Sequence, residues 1–214
     1  MGKKIISHYI KNVLEESLLT HIHLQSSLLI AIDSTKGKIK CGGEWVLALD
    51  NGYHLIEGYI PNFGQNNQIT SYRSEAYTVL SATLFLHYYC NFFGVSLNNT
   101  ITVGCDNQAL VNKLSWLLED PYHQSNLYNE SDSEALRIIL NIVPANYKIL
   151  LVYGHQNDKI KYAKLIIDAK LNVDSDRLAT TNKNLPINTD INSYPFSIYI
   201  IGNMRTTIVI KMYE

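Results

Sequence analysis

Four acidic residues of the 214-residue chain stand where a fold could bring them together. Asp33 ends the apolar run Ser27–Ile32, Asp106 ends the β-branched run Ile101–Cys105, Glu75 opens a long apolar stretch, and Asp176 lies inside NVDSDRLA. Carboxylate oxygens are the ligands that hard divalent cations prefer, so a convergent set would suit magnesium. Any one acid alone is more often a solvated turn former or a helix cap. His155 falls in a polar GHQ segment, where an imidazole of near-neutral pKa could pass a proton or help product leave. His8, His21, His23, His54, His87 and His123 have no such context. His21 and His23 alternate as strand neighbours would, without the two further ligands that zinc needs.

Whether these groups meet depends on the elements that carry them. Ser27–Ile32 reads as a buried strand, and Trp45–Leu49 with Tyr53–Ile60 flank Asp50-Asn51-Gly52, a strong hairpin turn because Asn and Gly tolerate positive φ. The stretch from Ser74 to about Phe93 predicts a central helix stopped by Gly94. Strand Ile101–Cys105, helices over Asn107–Leu118 and Glu134–Ile142, strand Tyr147–Tyr153 and a last helix from near Asn172, with Asp176 in its first turn, complete the core. Three antiparallel strands followed by alternating helix and strand predict an α/β layered fold. Adjacent strand ends in such a sheet lie about 5 Å apart, close enough for Asp33 and Asp106 to share an ion. Before this core, Ile6, Ile10, Val13, Leu14 and Leu18 recur at near-helical spacing. After it, Asn182–Tyr194 reads as a linker and the strands Phe196–Ile201 and Thr206–Met212 as a hairpin around Gly202-Asn203. The expected organisation is an N-terminal helical extension over 1–26, a principal domain over 27–182, and a linker with a C-terminal β-hairpin over 183–214.

A hydrophobic content of 46% supports one sizeable core. The net charge of −1 conceals segregation: residues 1–43 hold six basic and three acidic groups, 44–134 two and ten, 135–214 ten and six. Both ends therefore permit a nucleic-acid partner, although the chain lacks the strongly basic profile of a dedicated binder. The apolar run Ala76–Gly94 is interrupted by His87 and Asn91 and reads as a buried helix, so no membrane is expected. No apolar block follows Lys3 and Lys4, as a signal peptide would require. Cys41, Cys90 and Cys105 lack CxxC spacing, which argues against disulfides and zinc and for a reducing intracellular compartment, cytoplasm or nucleus.

IDST around Asp33, YRSEA around Glu75, CDN around Asp106, GHQ around His155 and NVDSDRLA around Asp176 together resemble the ribonuclease H family, over about residues 27–182. GHQ followed by LNVDSDRLAT is similar to the ribonuclease H portion of eukaryotic retrotransposon polyproteins, where it follows the reverse transcriptase. The resemblance implies a ribonuclease H-like fold, a mixed five-stranded sheet flanked by helices, and endonucleolytic cutting of the RNA strand of RNA–DNA hybrids. It implies two magnesium ions, with manganese able to substitute. Asp33 would bridge them, Asp176 would complete the ion that activates water, and Glu75 and Asp106 the ion at the leaving 3′ oxygen. Products would carry a 5′-phosphate and a 3′-hydroxyl. Asp176 is the family's position in NVDSDRLA; Asp174, about 200° away round a helix, is expected to be an N-terminal acid favoured by the macrodipole.

Hybrid binding is expected from Lys36, Lys38 and Lys40, from Lys159, Lys161, Lys164 and Lys170, and from Asn107 and Gln108 near the cut. Ser34 stands where many members have glycine, Asp158–Leu171 resembles an insertion, and Leu117–Glu134 is acidic where some cellular forms carry a basic protrusion. No polymerase signature of paired aspartates after an aromatic is present, so a reverse transcriptase is expected only as an adjoining domain. Two alternatives share the fold: a catalytically degenerate, connection-type interaction domain, and a transposase- or integrase-type nuclease. Retention of all four carboxylates weighs against the first, and the contexts of Glu75, His155 and Asp176 against the second.

Overall fold

A computed structural model describes residues 15–36, 41–61, 70–120, 127, 133–182, 197–201 and 207–211. The expectations for Ile6–Leu14, Lys38, Lys40, most of the loop before Thr70, the Asn182–Tyr194 linker beyond Asn182 and the Gly202-Asn203 turn lie outside the described residues.

Strands β1 (Leu28–Lys36), β2 (Cys41–Leu49) and β3 (His54–Pro61) form the antiparallel meander, with Leu28 opposite Leu49 and Trp45 opposite Gly58. β4 (Ile101–Cys105) joins β1 in parallel, and β5 (Tyr147–Leu151) joins β4 in parallel. The expected five-stranded mixed sheet is thus present in the order β5-β4-β1-β2-β3. The C-terminal hairpin, β6 (Ser197–Ile201) and β7 (Thr207–Lys211), extends it to seven strands by pairing antiparallel with β3. β6 thereby covers backbone groups that β3 would leave open as an edge strand.

Alternation along the strands divides the apolar side chains between two faces. Leu28, Ile30, Ile32, Trp45 and Leu47 enter the main core beneath helices α1 (Glu15–His23), α2 (Ser71–Phe93), α3 (Gln108–Glu119) and α4 (Ser133–Ile142). Ala31, Val46 and Ala48 pack on the other face against Leu171 of α5 (Ile167–Asn182). The apolar run ending at Gly94 is a core helix, capped by Thr70 Oγ1, which accepts from Arg73 N at 3.0 Å, and stopped by Gly94 at φ 66°. No helix among the described residues is long and apolar enough to cross a membrane.

Two local expectations change. His21 and His23 lie on α1, because Leu18 and Ile22 of that helix are buried in the main core. α5 begins five residues before Asn172, because Ile167 and Leu171 pack against the sheet and extend the helix backward. Asp168 therefore takes the first-turn position expected of Asp174, while Asp174 and Asp176 lie about two turns further in, beyond the reach of the helix dipole.

Candidate active site

Strand register sets the first two carboxylates side by side. Ala31 and Gly104 are the last pair in the parallel β1–β4 ladder, and Asp33 and Asp106 each follow two residues later, on the face that α5 covers. β1 continues to Lys36 against β2, so Asp33 lies within the strand but at the end of its parallel part. The backbone N–H of Ser34 donates to Asp33 Oδ1 at 2.6 Å. Glu75 arrives from α2 on the opposite layer. Its Oε1 accepts from Ser71 Oγ at 3.2 Å and its Oε2 from the Cys105 thiol at 3.0 Å. Asp176 comes from α5, so the sheet and both helical layers contribute.

The electrostatics record this convergence. Burial, then the charge of Asp106, pushes Asp33 up to about 8; Asp176 and Glu75 add to the rise and the Ser34 amide opposes it. Burial likewise pushes Glu75 up to about 6, with the Cys105 thiol resisting and Asp106 reinforcing. Asp106 is raised by burial and by Asp176, while His155 draws it down. His155 is exposed, adopts a left-handed conformation at φ 52° and opens the 3₁₀ turn Gln156–Asp158. Glycine at 154 permits this approach, since a Cβ there would stand 2.6 Å from Asp106 Oδ2.

Asp33, Glu75, Asp106, His155 and Asp176 are thus in electrostatic contact. Among the described residues, no three His, Cys, Asp or Glu side chains already enclose a metal position. The donor chemistry nevertheless fits a hard divalent cation: Glu75 is buried, Asp33, Asp106 and Asp176 are half-buried, and the repulsion among them falls when positive charge is added.

Asn107 and Gln108 are engaged within the protein. Asn107 caps α3, its Oδ1 accepting from Leu110 N at 3.2 Å, and its Nδ2 donates to Ser71 Oγ at 3.1 Å, which supports Glu75. Gln108 Nε2 donates to Asn112 Oδ1 at 2.7 Å. The backbone of Lys36 ends β1, and its side chain lies outside the described residues, with Lys38 and Lys40. Lys159, Lys161 and Lys164 are exposed beyond His155, and Lys170 is half-buried.

Sequence reasoning passed over Ser71, Cys105 and His54. Ser71 is one helical turn before Glu75, and Cys105 alternates with Asp106 onto the face where α2 packs, so spacing held a signal for both. His54 had none: it meets Asp174 only through the packing of α5, its Nε2 lying 3.3 Å from Asp174 Oδ2.

No protein-family model matches the chain, and no curated protein matches its sequence. Solved structures do match. LC9-RNase H1, a type 1 RNase H with the type 2 active-site motif, superposes with a TM-score of 0.53 at 10% identity, over 87% of this chain and 78% of that one. The foamy viral protease-reverse transcriptase in complex with RNA/DNA hybrid gives 0.51 at 12% identity, over 76% of this chain and 20% of that one. The same viral protein in complex with dsDNA gives 0.50 at 11% identity, over 76% and 96%. The order of the strands and these superpositions agree that the chain has the ribonuclease H fold.

Proposed function

We propose that the chain is a magnesium-dependent ribonuclease H that cuts the RNA strand of RNA–DNA hybrids endonucleolytically, leaving a 5′-phosphate and a 3′-hydroxyl. What supports this reading is that Asp33 feels the charges of Asp106, Asp176 and Glu75, acids carried by the sheet and by both helical layers. Those four residues would hold two magnesium ions. When bound, the ions supply an acidified water and charge stabilisation at the leaving oxygen. The chain's own groups do the rest. Ser71 and Cys105 orient the Glu75 carboxylate from both of its oxygens. His155, exposed and close enough to lower Asp106 by its charge, would carry a proton to or from the reacting phosphate. Lysines beyond the site would grip phosphates, and contact with the 2′-hydroxyl would distinguish RNA from DNA.

The GHQ and LNVDSDRLAT segments favour an origin in a retrotransposon polyprotein, beside a reverse transcriptase domain and acting in a reducing intracellular compartment. The test is cleavage of labelled hybrid, duplex DNA and duplex RNA. Magnesium or manganese should support cutting of the hybrid alone, and calcium should not, because it accepts looser coordination. Equal turnover in a chelator, or preferential cutting of duplex DNA, refutes the proposal.

A further inference from the structure

The two residues that precede Asp176 are tied to other elements rather than to the acidic site. Asp174 is buried: its Oδ2 accepts from Tyr162 Oη at 2.7 Å and lies 3.3 Å from His54 Nε2, and Arg177 Nη2 is 3.7 Å from its Oδ1. Ser175 is fully buried, and its Oγ donates to the backbone carbonyl of Glu44 at 3.0 Å. A mid-helix serine usually returns its bond to the carbonyl one turn back, whereas this one crosses to β2. Glu44 is the residue directly opposite Asp33 in the β1–β2 ladder. The hydroxyl therefore joins α5 to the rung that carries Asp33, one residue before the helix contributes its own carboxylate.

Asp174 joins the same turn to the start of β3 and to the 3₁₀ turn Tyr162–Lys164. Successive helical side chains diverge by about 100°, so anchoring 174 and 175 leaves one direction for 176. We infer that Asp174 and Ser175 are positioning residues for Asp176, fixing the rotation of α5 and its distance from β1 so that Asp176 and Asp33 can hold an ion between them. The inference rests on the proposed role of Asp33 and Asp176 as ion ligands.

The test is a double-mutant cycle on the whole chain, reading manganese affinity by titration calorimetry without substrate. Asp176→Asn should lose most of the binding. Ser175→Ala should weaken it about tenfold, as loss of a group orienting a metal ligand does, with the hybrid concentration for half-maximal cleavage unchanged. Adding Ser175→Ala to Asp176→Asn should change affinity no further. Wild-type affinity in Ser175→Ala, or the same loss in both backgrounds, overturns the inference alone. Wild-type affinity in Asp176→Asn, or no binding by the wild type, removes the ligand assignment and the inference with it. Should Ser175→Ala not fold, Tyr162→Phe removes one anchor of Asp174 and enters the same cycle; a smaller loss that vanishes in the Asp176→Asn background supports the inference, and no loss refutes it.

Discussion

Asp174 and Asp176 are chemically the same and two positions apart, yet their surroundings assign them opposite tasks. Burial alone would raise Asp174, but hydrogen bonds from His54 and Tyr162 and the charges of His54 and Arg177 hold it below the ordinary carboxylate range. Asp176 meets the charges of Asp33 and Asp106 instead. Asp176→Asn should therefore abolish cleavage while leaving the melting temperature of the metal-free protein unchanged or higher, because it removes repulsion. Asp174→Asn should cost about 1–3 kcal/mol of stability through its charged hydrogen bonds. Its cleavage should fall only about tenfold. Turnover and melting temperature of both variants decide this, and the reverse ranking would move the fourth ligand to Asp174.

At the scale of elements, His54 links β3 to α5. Its imidazole is raised to about 9 by the hydrogen bond to Asp174 and then that to Glu57, against the effect of burial. The folded protein thus binds this proton more tightly than the unfolded chain. The resulting stability is complete below about 6.5 and disappears as pH rises through about 9. Asp33, also raised, adds a decline of the same sign from about 4 to about 8 in metal-free protein, so the wild-type curve mixes the two. His54→Gln should remove the part of the melting-temperature decline that lies between about 6.5 and 9, which the difference between the two pH curves isolates. Parallel curves would mean that His54 does not bind α5 through its charge.

Over the whole molecule, the acidic site and the acidic stretch 44–134 would repel phosphates, so the grip on a duplex must come from elsewhere. β1 runs three residues past Asp33 to Lys36 and leads into Lys38 and Lys40, while Lys159, Lys161 and Lys164 are exposed beyond His155. Replacing Lys36, Lys38 and Lys40 together with alanine should lower the log–log salt slope of hybrid binding by about two to three units. An unchanged slope would show that these lysines face away from the duplex.

Much of this protein was decided locally and is therefore legible in its sequence. The Asn51-Gly52 turn sets the β2–β3 hairpin, alternation sorts Leu28, Ile30 and Ile32 from Ala31, and Gly94 stops α2, each through the conformational limits of a few adjacent residues. The position of Asp106 just past the end of β4 follows from the same short-range patterns, whereas Asp33 marks only the end of the parallel part of β1, because pairing with β2 carries that strand on to Lys36. The start of α5 did not follow from such patterns, because Ile167 and Leu171 become helical through packing against β1 and β2, a contact with no local signal. Nor did the docking of β6 on β3, which depends on an open edge more than a hundred residues away. The partners of Asp174 and Ser175 belong to the same class. Residue type shows that a carboxylate or a hydroxyl can bond, but only the packing of α5 across the sheet brings His54, Tyr162 and the Glu44 carbonyl within reach.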